Sequence, residues 1–511
     1  MTTGSTAPDV ASPLLERLFE VAATGGGVED DGGHQSLEAL LERAFSVRTA
    51  LLAGAPSLAG QSVVLLASPS CAWVSAFFGI LLAGGVAVPL SPLYPAAELA
   101  WFADDARAQL VLLSADLAEK AGLLVSGRRV LDVAEAGEGP RGATGFVLPR
   151  APEIASLLYT SGTTGKPKGA MISHQNLATH AALLRAAWRV SADDHLLHAL
   201  PLHHLHGLNV ALVTALLAGA RARILPRFDA VRVWEELPRA TTWMGVPTMY
   251  LKLLEAWEHE GAATRDRARG AARGLRLATS GSAALPVTIA ERWAEIAGAV
   301  PLERYGMTEI GVGSSNPLDV AGRRTGSVGR PLPTVEFRIV HEDGSDAGDG
   351  PGELWIGGPS VFVGYFGRED ASRDAFAGPW FKTGDVAVRD GEGHLRLLGR
   401  TSVDILKSGG YKLSALEIEE VLRESDAVGE VSVVGIPDAT WGDRVVAVVV
   451  PRRGRESACG ADVLRAFAKE RLPAYKVPRD VLLVDALPKN ALGKVVKPEL
   501  AKLVARELGK G

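Results

Sequence analysis

The sequence predicts an α/β fold: a large N-terminal domain of α/β sheets that ends in a small β-barrel subdomain, followed by a small α+β C-terminal domain. Three observations carry this. Between residues 62 and 280, short apolar strand patterns alternate with helical ones, the signature of parallel sheets. From Gly326 the texture changes to short β segments separated by turns. After Leu398-Gly399-Arg400 a compact mixture of helices and strands runs to the end. The domains are therefore expected at residues 1–400, with 325–400 mainly β, and at 401–511. The 511 residues exceed one ordinary domain, and 47% apolar residues suffice for large cores.

In order, apolar spacing predicts helices over 12–22 and 36–53 and a strand from Ser62 to Ala67. A helix from Trp73 to Ala83 and a strand to Leu90 follow, then a helix over Pro95 to Ala106 and a strand over Leu110 to Leu113. Ser173 is placed to cap a helix from His174 to Trp188. Helices are expected over Val210 to Ala218 and Met249 to Trp257, with strands at Ala222 to Leu225, up to Gly245, and at Leu275 to Ser280. Val335 to Val340 and Gly352 to Gly357 are the clearest β segments of the subdomain. In the tail, helices are expected at Ser414 to Arg423 and Ala461 to Glu470, and strands at Glu430 to Gly435 and Val445 to Val450.

Composition excludes several classes. Lys and Arg number 54 against 59 Asp and Glu, a formal charge of −5, so no electrostatic case for nucleic acid exists. Anionic substrates then require local cations. Cys71 and Cys459 are too few and too far apart for a disulfide framework and fit a reducing compartment. Met1 to Val10 has neither a basic n-region nor an apolar h-region, so a cytoplasmic location is expected. The apolar run Ala72 to Leu90 approaches membrane-spanning length, but Gly84-Gly85 breaks it, and a buried helix–turn–strand unit is expected instead.

The chemistry begins at Tyr159-Thr160-Ser161-Gly162-Thr163-Thr164-Gly165-Lys166-Pro167-Lys168-Gly169, behind an apolar strand. Glycines let backbone N–H groups approach an anion. Thr160, Ser161, Thr163 and Thr164 add hydroxyls, and Lys168 adds a charge: a phosphate grip. It is not a Walker A loop, because proline follows Lys166. Further on, Glu303-Arg304-Tyr305-Gly306-Met307-Thr308-Glu309 offers Thr308 to an α-phosphate, Glu309 to Mg²⁺ and Tyr305 to an adenine face. Asp385, in Thr383-Gly384-Asp385, is an acceptor-only group suited to two ribose hydroxyls. Three histidines, His203, His204 and His206, invite a metal reading, but the spacing and the absence of cysteine pairs speak against zinc.

The run Tyr159 to Gly169 closely resembles the AMP-binding signature of the adenylate-forming enzymes, and the other motifs follow in that superfamily's order. The resemblance spans nearly the whole chain. It implies ATP, Mg²⁺ and coenzyme A as reactants, an acyl-AMP intermediate, and release of AMP and pyrophosphate. It assigns Lys494, in Pro488-Lys489-Asn490-Ala491-Leu492-Gly493-Lys494, as the catalytic lysine. His204 becomes a gate beside the acyl and pantetheine pocket. Ser282, Ala283 and Ala284 line the adenine and acyl pockets, and Gly306 joins the nucleotide site. Arg400 touches ribose or phosphate. The residues after Arg400 form a hinge, placed within Ser402 to Asp404, about which the small domain rotates to open a pantetheine tunnel past Gly409-Gly410. Many members read G-R-x-D-D there; this chain lacks the first Asp and runs one residue longer.

Local stretches are similar to malonyl-CoA synthetases: His203 to Gly207, Gly245 to Tyr250, Ser280 to Pro286 and Glu303 to Ser315. That branch implies Arg304, Lys252 and Ser282 around the second carboxylate of malonate or, given the small Gly311-Val312-Gly313 run, methylmalonate. Other readings stay open: a ligase for a monocarboxylic fatty or aromatic acid, a stand-alone adenylation enzyme loading a carrier protein, and a luciferase-like oxygenase. The first of these predicts no need for Lys252 or Arg304. Monomer and homodimer both stay open.

Overall fold

The computed structural model describes residues 10–141, 146–160, 167–438, 440–489 and 494–508. Residues 10–400 are built on two large sheets with helices between them. The first is a seven-stranded sheet in the order Gly364–Tyr365, Lys168–Ser173, Ile154–Thr160, Val86–Pro89, Ser62–Leu66, Leu110–Leu113, Arg129–Asp132. Its last five strands are parallel, as the alternation of strand and helix predicts. Val63 and Leu65 point into the core shared with the second sheet, while Val64 and Leu66 point into a separate cluster with Phe102 and Tyr159. Burial on both faces explains why the strand reads as continuously apolar. The Ala72–Leu90 run is the expected unit: helix Cys71–Leu82, buried almost all round, then strand Val86–Pro89. Among the described residues no helix is long and apolar enough to cross a membrane.

The second sheet has nine strands: Arg330–Pro331, Gly311–Ser315, Leu302–Met307, Leu277–Ser280, Thr242–Gly245, His195–His198, Arg221–Ile224, Gly27–Asp30 and Gly33–Ser36. Its centre is parallel and both ends are antiparallel. The strand Gly27–Asp30 crosses from the N-terminal segment to join it, a pairing that local pattern does not reveal. The β-rich segment expected from residue 326 is an antiparallel sheet of five strands centred on Trp380–Arg389, and its ladder is open.

The C-terminal segment has cores of its own. Strand Gly442–Pro451 sends Val445, Ala447 and Val449 to one face, under helices Ala415–Arg423 and Ala461–Arg471. Val446 and Val448 go to the other, under helix Lys497–Leu508. It touches the larger part through few polar contacts: Ser414 Oγ donates to the Leu398 carbonyl at 2.6 Å, Val287 N–H to Glu420 at 2.7 Å, and Lys412 pairs with Glu342 at 2.9 Å.

Two local features position the site. Strand Ile154–Thr160 pairs antiparallel with Lys168–Ser173, with Thr160 opposite Lys168, so these two residues flank the hydroxyl-rich run. The hairpin leads straight into helix His174–Trp188 through a capping box: Ser173 Oγ accepts from Asn176 N–H, and Asn176 Oδ1 accepts from Ser173 N–H, each at 3.0 Å. Second, the apolar helix expected at 210–218 begins earlier. His206–Val213 is wound as a π-helix and only Thr214–Leu217 is α-helical. Gly207 permits this, since a Cβ there would stand 2.3 Å from the Pro201 carbonyl oxygen. Ser173→Ala is expected to destabilise the large domain by about 1 kcal/mol, read as a lower urea midpoint with an unchanged slope.

Candidate active site

The hairpin turn between strands Leu302–Met307 and Gly311–Ser315 carries Thr308 and Glu309. The turn is tight: a Cβ on Gly306 would meet the Gly311 carbonyl oxygen at 2.1 Å. Glu309 is buried and accepts a hydrogen bond from the Tyr365 hydroxyl at 2.9 Å. Burial raises its carboxyl above the ordinary range, against the pull of that bond. Lys168 extends over the same Tyr365 ring, its Nζ 5.0 Å from the centroid. The signature lysine and the acidic turn therefore meet at one aromatic side chain. Sequence reasoning missed Tyr365; strand Gly364–Tyr365 pairs with Ala170 and Met171 beside the hairpin, and no local motif announces that pairing. Thr308 is half-buried on the same turn. Tyr305 is buried, and its hydroxyl donates to Asp385 Oδ2 at 2.6 Å, while Arg400 Nε lies 3.1 Å from Asp385 Oδ1. Burial raises the Asp385 carboxyl; Arg400 opposes this.

The acyl side is built around Arg304. It stands on the same strand, 4% exposed, and its Nε and Nη2 have no hydrogen-bond partner among the described residues. Burial alone pulls its guanidinium down to about 10. The strand Leu277–Ser280 ends in Gly281, and a Cβ there would fall 2.5 Å from Cζ and Nε of Arg304, so only glycine leaves room for the fork. Ser282 follows with φ at +68°, the left-handed region that non-glycine residues rarely adopt. This turn brings its Oγ to 3.1 Å from Nδ1 of His206. His206 is buried, its Nε2 is unpartnered among the described residues, and burial followed by Arg304 holds it well below the ordinary histidine range. His206 is thus neutral beside the cation. The three-histidine run pointed here, but the resemblance picked His204, because the π-helical start at His206 is not legible in the sequence.

Lys494 lies within electrostatic reach of Arg304, His204 and His206. Lys494 is solvent-accessible and acts electrostatically on His204 and His206, and it in turn feels Arg400, Arg304 and Asp385. Desolvation by the cleft walls, then Arg400 and Arg304, pull its ammonium down to about 8, while Asp385 pulls the other way. His204 packs against His203 with the rings tilted by 50° and their centroids 4.1 Å apart, and burial followed by Lys494 lowers it to about 4. Among the described residues no group of three His, Cys, Asp or Glu side chains is placed to hold a metal ion.

Residues 20–366 match the family model for AMP-binding enzyme, and residues 417–494 match the model for the AMP-binding enzyme C-terminal domain. The chain belongs to the AMP-binding enzyme family. It is 39% identical to the mitochondrial malonate–CoA ligase of Mus musculus over 514 residues, covering 93% of this chain and 87% of that one. It is also 39% identical to the malonate–CoA ligase of Arabidopsis thaliana over 485 residues, covering 88% and 79%. ATP-bound MatB from Rhodopseudomonas palustris superposes with a TM-score of 0.88 at 33% identity, covering 97% of this chain and 99% of that one. A benzoate CoA ligase from Burkholderia xenovorans LB400 gives a TM-score of 0.84 at 30% identity, covering 96% and 99%.

Not every sequence-derived residue of this AMP-binding enzyme gathers in the cleft. Lys252 is exposed on helix Pro247–His259, whose buried side is Tyr250, Leu253 and Leu254; two residues beyond Tyr250 the helix has turned to solvent. Ala283 and Ala284 are exposed after the Ser282 turn. Gly409 and Gly410, with φ of +58° and +83°, are the two-residue tip of the hairpin Ile405–Ser408 and Tyr411–Ser414, and both are exposed. Thr160 Oγ1 is 3.5 Å from the Lys168 carbonyl oxygen. Ser161, Gly162, Thr163 and Thr164 lie outside the described residues. With Lys494 in the catalytic role that the resemblance implies, its ammonium form is lost above about 8, and kcat/KM for adenylate formation is expected to fall as pH rises through that value. A pH–rate profile of Lys494→Arg should lose that alkaline limb.

Proposed function

We propose that this enzyme is an ATP-dependent acid–CoA ligase that converts malonate, and methylmalonate with it, to the CoA thioester through an acyl-AMP intermediate. The observation that carries the substrate is Arg304, a buried guanidinium whose Nε and Nη2 have no partner among the described residues, seated against Gly281 beside His206 and Ser282. A buried charge is costly unless paired. The distal carboxylate of a short dicarboxylic acid supplies the partner, bidentate on the fork. The names of the two malonate–CoA ligase relatives support the same reading. Lys252, placed in this pocket by resemblance, is at the surface here, so the recognition proposed rests on Arg304, His206 and Ser282.

With the distal carboxylate on Arg304, the reacting carboxylate faces the Lys494 side of the cleft. Its attack on the α-phosphate of ATP brings two anions together, and the task of the protein is positioning and charge neutralisation. Lys494 neutralises the carboxylate and the bridging oxygen; Thr308 and Lys168 hold phosphate oxygens. Asp385 orients the ribose, itself held by Tyr305 and Arg400. Glu309 fits Mg²⁺, which binds through one or two carboxylates plus substrate phosphates and needs no protein cage. The ion, when bound, would offset phosphate charge. After pyrophosphate leaves, rotation about Ser402 to Asp404 withdraws Lys494 and admits the CoA thiol past Gly409-Gly410, and the thiolate displaces AMP. The units proposed for this motion are 1–400 and 401–511.

We also place the enzyme in the cytoplasm, supported by the two unpaired cysteines, whereas the mouse relative is named as mitochondrial; imaging of a tagged chain in its own cells decides this. Pyrophosphate release with ATP, Mg²⁺ and CoA should favour malonate or methylmalonate over acetate, butyrate and octanoate. Arg304→Ala should lower kcat/KM for the dicarboxylate by about 100-fold or more. A preference for octanoate, or one untouched by the substitution, refutes the dicarboxylate reading.

A further inference from the structure

The mechanism leaves a largely buried lysine unused. Lys497 is three residues beyond Lys494, at the start of helix Lys497–Leu508, and its side chain is 12% exposed. Its Nζ lies 2.6 Å from Asp404 Oδ1 and 2.8 Å from Glu419 Oε1. Glu419 is held from the other side by Val433 N–H at 2.9 Å and by Arg423 at 3.0 Å. Asp404 is buried at the boundary between the two units. Its Oδ2 accepts the Arg400 backbone N–H at 3.0 Å, and its Cβ packs where a side chain on Gly399 would stand, 2.4 Å away.

Arg400 in turn pairs with Asp385, and Asp385 with Tyr305. One unbroken chain of polar contacts therefore runs from the end of the lysine segment to the nucleotide side of the cleft: Lys497, Asp404, Arg400, Asp385, Tyr305. The base of the lysine segment is closed independently. Val496 N–H donates to the Pro488 carbonyl at 2.8 Å, and Lys489 bridges Val495. These contacts bring Pro488-Lys489 and Val495-Val496 together. Among the described contacts, the Lys497–Asp404 pair ties the segment to the backbone that bears Arg400.

We propose that Lys497 is a positioning residue that sets Lys494 in register with the adenylation site by pinning the lysine segment to Asp404. This inference deepens the proposed function and rests on Lys494 acting in adenylate formation. A misplacement of about 1 Å in a catalytic group costs on the order of 100-fold. A residue that only holds the fold together would, when lost, depress both half-reactions alike. A register residue depresses the first, in which Lys494 takes part, and spares the second, in which it has been withdrawn.

The test measures ATP–pyrophosphate exchange with malonate and, separately, CoA thioester formation from preformed acyl-adenylate. Lys497→Met is expected to lower kcat for exchange about 10- to 100-fold, with the KM for ATP within about twofold of wild type and thioester formation retained. Lys497→Arg, which keeps the charge, should restore most of the exchange. Lys497→Met and Asp404→Asn together should be little worse than either alone, since both cut one contact. Should Lys497→Met fail to fold, Lys497→Gln, which can still hydrogen-bond Glu419, carries the same expectation. Full exchange activity in the variants, or equal loss of both half-reactions, overturns the proposal. Lys494→Ala is run alongside: if it retains exchange, the underlying role of Lys494 fails, whatever the Lys497 variants do.

Discussion

A guanidinium buried without a counter-ion sits at the centre of this structure. Arg304 is held by a strand of the nine-stranded sheet and pressed against a glycine, with N–H groups aimed at no protein acceptor among the described residues. Such a group is expensive to bury. Burial, reinforced by Arg304, holds His206 well below the ordinary histidine range, and burial, then Arg400 and Arg304, lower the Lys494 ammonium. A pocket that concentrates positive charge in an acidic chain selects for an anion, and the proposed substrate carries two. The cost of the unpaired cation is then returned on binding, which ties the folded state to its substrate.

The nucleotide side follows the opposite design. Asp385 and Glu309 are buried carboxylates whose oxygens are oriented by Tyr305, Arg400 and Tyr365. In the proposed reaction the acceptors serve the ribose and the metal, and the cations serve the phosphates and the acid. The two halves meet on one short strand and turn, where Arg304, Tyr305, Thr308 and Glu309 follow one another in the sequence. Alternation along the strand and the bulge at Tyr305/Gly306 separate the acyl group from the nucleotide. The C-terminal segment reaches this centre through a few polar contacts and one linked chain of charges, an arrangement compatible with a rotation that must break and remake them.

Much of this was legible in the sequence, for reasons that can be named. Helix His174–Trp188 was read to the residue because Ser173 and Asn176 form a local cap. Strand Leu110–Leu113 stood out as an isolated apolar run. The order of motifs, from the signature loop to Lys494, identified the chemistry before any geometry did. What escaped was set by long-range pairing or irregular backbone. The strand Gly27–Asp30 joins a sheet whose other strands lie far along the chain. The π-helical start at His206 and the left-handed Ser282 bring two polar groups together that no periodicity places side by side. Lys252 was assigned by resemblance, and three-residue spacing on a helix cannot say which side faces a ligand until the helix is packed.

The most direct test of the central claim is a crystal structure with ATP and Mg²⁺ bound together with malonate, or with a stable malonyl-adenylate analogue. Expected is a carboxylate about 2.7–2.9 Å from Nε and Nη2 of Arg304, with the reacting carbonyl toward Lys494. A ligand whose distal carboxylate lies elsewhere, leaving Arg304 still unpaired, would contradict it.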